Sequence, residues 1–127
     1  NAFKNVNSGT VSYDPTAKPS ELCTVTTTTN PTGKLEPGEN FDAIWTIKNT
    51  SDETWSKDTV DYKYSSGEKM YKYAKLYDLP KNVKAGKTIE LVVDMTAPDE
   101  PGTYTTKWVL VEGSKILCTL PLTITVK

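Results

Sequence analysis

Apolar residues recur at every second position in four separate stretches of this chain, and that period admits strands while excluding helices. Phe41, Ala43, Trp45 and Ile47 share one parity, with Asp42, Thr46 and Lys48 on the other. Ile89, Leu91, Val93 and Met95 repeat the pattern. So do Tyr104, Thr106, Trp108 and Leu110, and finally Leu120, Leu122, Ile124 and Val126. Leu22 to Thr29 reads as a threonine-rich strand, and Trp55 opens a segment in which Val60, Tyr62 and Tyr64 keep one parity. Met70 to Leu79 is a less regular mixture of apolar residues and lysines. Turn signals separate these stretches, among them Asn30-Pro31-Thr32-Gly33, Glu36-Pro37-Gly38, Ser65-Ser66-Gly67 and Glu112-Gly113-Ser114. Six or seven short strands without a helical stripe specify an all-β fold, a two-sheet antiparallel β-sandwich. Each sheet has one apolar face, and two such faces must meet to leave water.

With 127 residues the chain has room for one such domain. Residues 1–20 are polar and carry two prolines, Pro15 and Pro19, so they are expected to form an arm or linker, with the sandwich over residues 21–127. Pro121 falls inside the last strand. It has no N–H to give a ladder, which places that part of the strand at an edge or bulge. Cys23 and Cys118 stand near the starts of the first and last strands. If those edge strands run side by side and parallel, the sulfurs meet in a disulfide; otherwise they are two separate buried thiols. A disulfide would favour an extracellular or cell-surface setting.

The expected core comprises Phe41, Trp45, Ile47, Leu91, Val93, Tyr104, Trp108, Leu110 and Ile124. Tyr104 follows Pro101-Gly102-Thr103 in the manner of an immunoglobulin tyrosine corner, whose hydroxyl ties a strand start to nearby backbone. Two positions on, where antibody domains carry their second core cysteine, the chain has Thr106. Tryptophans must then supply the core volume, and their indole N–H groups call for partners near the ends of the core.

The chemistry of catalysis is sparse. Without a histidine there is no histidine-based triad, imidazole base or ordinary zinc site, and no metal or cofactor is expected. Asp58-Asp61 and Asp99-Glu100 are formal carboxylate pairs in turn-like, solvated contexts. The net charge of −1 and the absence of arginine argue against a nucleic-acid partner. No run of about 18 apolar residues exists, so direct membrane insertion is not expected. The start of the chain shows no basic and apolar leader pattern, which fits a cytosolic protein or a mature secreted fragment.

One stretch suggests recognition. Between Lys57 and Lys87, eight lysines face only Asp58, Asp61, Glu68 and Asp78, a local balance of +4, and tyrosines interleave with them. Tyr62, Tyr64, Tyr71, Lys72 and Tyr73, with Trp55, form a candidate binding face for an acidic protein or a glycan. The same pattern also fits tyrosines packed inward under lysine stems. Asn49-Thr50-Ser51 is formally a glycosylation acceptor.

Leu35-Glu36-Pro37-Gly38 leading to Phe41 and Trp45 is similar to the start of the immunoglobulin-like four-tryptophan domain of the autophagy receptor NBR1. The resemblance continues through Ile47-Lys48-Asn49-Thr50-Ser51 to Trp55 and through Val83-Lys84-Ala85-Gly86 to Ile89, Leu91 and Val93. It extends through Ala97-Pro98, Pro101-Gly102-Thr103-Tyr104, Trp108 and Leu110 to Ile124-Thr125-Val126, and covers about residues 22–126. The resemblance implies an immunoglobulin-like fold and a non-catalytic interaction or structural module, related modules being attached to secreted and surface proteins of bacteria. The family's further tryptophan and its Phe-Gly pair are missing from Gly113 to Pro121. The expected partner is an unidentified protein, with a glycan as the alternative that the tyrosine–lysine stretch suggests, and the oligomeric state is open.

Overall fold

In the computed structural model, which describes residues 22–127, each alternating stretch becomes a strand with its apolar parity turned inward. In chain order these are β1 (Cys23–Asn30), β2 (Asn40–Asn49), β3 (Val60–Gly67), β4 (Leu76–Asp78), β5 (Thr88–Thr96), β6 (Gly102–Glu112) and β7 (Lys115–Val126). They form two antiparallel sheets, ordered β1-β2-β5 and β4-β3-β6-β7. The fold is an all-β, immunoglobulin-like two-sheet sandwich. The arm expected over residues 1–20 lies outside the described residues.

Two expectations change. Trp55 does not open β3, which starts at Val60. Instead Trp55 and Val83 exchange both backbone N–H···O bonds at 2.9 Å, an isolated antiparallel bridge. The lysine-rich stretch yields only the three-residue β4. Just before it, Thr96 N donates to Met70 O at 2.8 Å and Lys72 N to Asp94 O at 2.9 Å, which lays this segment against β5. Then Tyr64 N donates to Lys75 O at 2.9 Å and β4 joins β3. A segment that serves both sheets in ten residues cannot hold one period, which is why its pattern is irregular.

Phe41, Trp45, Ile47, Leu91, Val93, Trp108, Leu110 and Ile124 are all buried. Tyr104 is half-buried, and its hydroxyl donates to Glu100 O at 2.7 Å, the geometry of a tyrosine corner. Thr106 is buried where a core cysteine would stand. β6 is buried on both faces from Trp108 to Val111, with Val109 between Lys63 and Thr119 in the neighbouring strands.

The covalent link lies at the sandwich edge. Cys23 and Cys118 form a disulfide with Cα atoms 5.8 Å apart and a sequence separation of 95. β1 is the edge of one sheet and β7 the edge of the other. They run side by side in one direction, with Leu22 N donating to Leu117 O at 2.9 Å and Thr27 Oγ1 to Pro121 O at 3.1 Å. Trp45 Nε1 donates to the same Pro121 carbonyl at 2.8 Å. That carbonyl therefore faces away from β6, and the nitrogen of the same residue does too, so proline removes no ladder bond. Further along, Leu35 N donates to Thr125 O and Lys127 N to Leu35 O, each at 2.9 Å, covering the last part of the β7 edge.

Two like-charged pairs face solvent. Asp42 stands opposite Asp94, and Asp61 opposite Asp78. The Asp42 carboxyl is raised above its usual value by its hydrogen bond with Asp94, by desolvation and by repulsion from Asp94. Asp61 is raised by desolvation, its hydrogen bond with Asp78 and that residue's charge, with Lys63 acting the other way. A raised native value means that the folded state binds more protons than the unfolded one. Stability then grows as pH falls from the native value towards the unfolded 3.8, and the contribution is absent at neutral pH.

Two outcomes follow for stability. Reducing Cys23–Cys118, or replacing both cysteines by serine, should cost about 2–4 kcal/mol in urea unfolding, because the bridge closes a long loop of the unfolded chain. An unchanged unfolding midpoint would contradict this. Asp42→Asn should stabilise the fold at pH 7 by about a few tenths of a kcal/mol, a small figure because the pair is exposed. That advantage should shrink in denaturation curves taken as the pH is lowered towards the unfolded carboxylate value. A gain that grows with acidification would contradict the like-charge account.

Candidate functional site

The tyrosine–lysine stretch is not a platform of rings. Tyr62 is buried, stacked on Tyr77 with centroids 5.3 Å apart, and Tyr77 stacks in turn on Trp108 at 6.1 Å. Tyr64 and Tyr71 are half-buried and stand at 81° to Trp108, at 6.5 and 6.2 Å. The Tyr64 hydroxyl donates to Gly67 O. At Gly67 the backbone is left-handed (φ 90°) and an added Cβ would lie 2.5 Å from Thr105 O, so glycine is required there. Burial and the neighbouring Tyr77 raise the Tyr62 phenol above its usual value. Of the expected face only Tyr73, 70% exposed, and Lys72 over its ring at 5.4 Å lie in the open. The reason for the correction is β3's parity: Tyr62 and Tyr64 are in register with Leu110 and Trp108 and face the core with them. Trp55 is buried as well, at 3% exposure.

The structure gathers a different set of residues at one end of the sandwich, around Asn49. Asn49 is fully buried and every side-chain polar atom is used. Its Nδ2 donates to Glu53 O at 2.8 Å and to Val83 O at 2.9 Å. Its Oδ1 accepts from Ser51 N at 3.0 Å and Ser51 Oγ at 2.6 Å. An amide in that position has no free N–H for a glycan, so the formal acceptor is closed in the folded chain. Asn49 thereby fixes the loop Thr50–Thr54 that leads to Trp55. The signal in the sequence was the same Asn-Thr-Ser triplet, read for modification rather than for loop bracing.

A cavity of about 480 Å³ opens beside this loop. Leu22, Trp55 and Leu117 supply its apolar wall, and Asp52, Glu53, Glu112 and Lys115 its charges. Among the described residues, Trp55 Nε1 and Trp108 Nε1 are buried without a hydrogen-bond acceptor, and of the three indoles only Trp45 has a partner, at Pro121. The expectation that all indole N–H groups sit near partners at the core ends is met by Trp45 alone.

Among the described residues, reactive groups do not converge. Both cysteines are in the disulfide. Among the described residues no group of three or more His, Cys, Asp or Glu is placed to hold a metal ion. Asp58 is exposed and pairs with Lys57 at 3.4 Å, while Asp99 and Glu100 are exposed in the turn before β6. Among the described residues no helix is long and apolar enough to cross a membrane.

Solved structures share this architecture. The CARDB domain of a Pyrococcus furiosus protein aligns with a TM-score of 0.53 at 12% identity, over 84% of this chain and 96% of that one. An alkylpurine DNA glycosylase of Pseudomonas fluorescens, solved on DNA containing an abasic-site analogue, aligns with a TM-score of 0.50 at 15% identity. There the match covers 84% of this chain and 31% of the glycosylase. At these identities the likeness is one of fold. Among curated protein sequences none matches the chain. The family model described as the Ig-like domain from next to BRCA1 gene matches residues 28–126, and with the tyrosine corner and two-sheet topology in place, the chain belongs to that family.

Proposed function

We propose that this domain is a non-catalytic interaction or spacer module of a larger extracellular or cell-surface protein, of the kind carried by bacterial secreted and surface proteins. The observation that carries the reading is the Cys23–Cys118 disulfide, which uses both cysteines of the chain to join the two sheets at their edges. A bridge of that kind persists in oxidising compartments. The absence of histidine supports a role without acid–base or nucleophilic chemistry. The glycan-binding alternative needed two or more exposed, coplanar rings, and Tyr73 is the one ring of that face in the open.

Intact cells making the full-length parent protein provide the test. External protease should cleave the parent, and thiol labelling of the unfolded, unreduced protein should find no free thiol in this domain. Protection from external protease together with two free thiols would overturn the placement. A hydrolytic or transferase activity lost on a single carboxylate substitution, such as Asp61→Asn or Glu100→Gln, would overturn the non-catalytic reading.

A further inference from the structure

We propose that the open edge of β5, from Thr88 to Val92, takes an extended segment of a partner protein as an added antiparallel strand, with a lysine or arginine of that segment opposite Glu90. The inference deepens the interaction-module reading and rests on it.

The main chain supplies the first observation. β5 is the outer strand of its sheet, beyond β2. Asn49 N donates to Lys87 O and Ala97 N to Glu39 O, each at 2.8 Å, so the odd-numbered residues of β5 aim their backbone groups at β2. The even-numbered ones aim outward, where Thr96 N reaches Met70 O and Asp94 O receives Lys72 N. After Lys72 the chain leaves this edge and joins β3 from Lys75 onward. Among the described residues, the backbone N–H and C=O groups of Thr88, Glu90 and Val92 therefore have no partner in the protein. A strand laid along them would find its hydrogen bonds already aimed.

β5 carries few of the features that deter such pairing. It keeps register with β2 along its whole length without a bulge and contains no proline. Its inward side chains, Ile89, Leu91, Val93 and Met95, are buried and uncharged. Bulges, prolines and inward charges are what natural edges use against association. The other edges are managed differently: β1 and β7 are tied to each other, and β4 has three residues. The charges of β5, Glu90 and Asp94, face outward, where they select among strands rather than exclude them.

The outward side chains say which strand fits. Glu90 is exposed, its row continues through Thr46 and Thr26, and among the described residues it forms no ion pair. At Asp94 the protein already supplies a neighbour. The Tyr71–Met95 bridge sets Lys72 opposite Asp94, and the two line one hollow. A strand continuing along the same edge repeats that arrangement with a basic residue at Glu90. Between them Val92 is 42% exposed in a row with Ile44 and Thr28, which a β-branched ligand residue extends. A second copy of the chain suits the edge less. Antiparallel copies fill it in full only with Glu90 against Glu90. Moved two residues one way, Thr88 runs into the copy's Met70–Lys72 segment; moved the other way, Val92 lies opposite the turn at Gly86.

The experiment is a ¹H–¹⁵N NMR titration of the oxidised full chain with acetyl-Val-Ala-Lys-Ala-Thr-amide, whose lysine falls opposite Glu90 when its valine is opposite Val92. The amides of Glu90 and Val92 should shift in a saturable way and exchange their hydrogens more slowly, while Leu91, whose amide faces β2, keeps its exchange rate. The same peptide with glutamate in place of lysine should bind about tenfold more weakly. Glu90→Lys, a change at an exposed side chain, should invert that preference with the spectrum still folded. Unmoved Glu90 and Val92 amides, equal affinity for both peptides, or a preference unaltered in Glu90→Lys would each overturn the site. So would slow exchange at Glu90 and Val92 in the free chain that is lost on removing residues 1–20, which makes that segment the occupant, or lost on dilution, which makes it a second copy. None of these outcomes touches the interaction-module reading, which is decided by compartment and by the lack of chemistry.

Discussion

The contact between Trp45 and Trp108 is the constraint around which the rest of the sandwich is arranged. One ring comes from β2 and the other from β6, the middle strand of one sheet and an inner strand of the other, and their centroids are 6.1 Å apart. Both are fully buried, and two rings of that size set how closely the sheets approach. In antibody domains a disulfide between core strands does part of that work. Here Thr106 stands in that place, and a shell of tyrosines completes the packing: Tyr62 and Tyr77 on one side of Trp108, Tyr64 and Tyr71 edge-on to it. The residues that gave the chain its appearance of a binding platform are thus the casing of its core.

A core held by rings leaves the edges to be closed by other means. On one edge the disulfide, the Leu22–Leu117 bond and the double-accepting Pro121 carbonyl tie β1 to β7, and Leu35 then covers the end of β7. On the other, residues 70–78 cross from β5 to β3. Unpaired strand edges invite association with other chains, and these devices block part of each. Pro121 serves twice, lacking a donor that an approaching strand would use and offering its carbonyl to Trp45 and Thr27.

Edge closure meets loop bracing at one end of the sandwich. The disulfide anchors Leu22 and Leu117 through the adjoining cysteines, Asn49 fixes Thr50–Thr54, and Trp55 lies between them. None of these groups is chemically reactive in this setting. What they share is position and rigidity.

The sequence by itself determined the strands of regular period, the two-sheet class, the tyrosine corner at Tyr104 and the edge position of Pro121. Each rests on a local property: alternation, a missing N–H, a turn followed by tyrosine. It also narrowed the cysteines to two fates, because sequence position alone does not say whether β1 and β7 lie in parallel. Only the tertiary structure decided that the sulfurs meet, that Tyr62 and Trp55 are buried, and that Asn49 is a brace. Those outcomes depend on partners far away in sequence: Val83 for Trp55 and Asn49, Trp108 for the tyrosines, Cys118 for Cys23. A period of two tells which residues share a face. It does not tell what that face, or an irregular segment between faces, will be packed against.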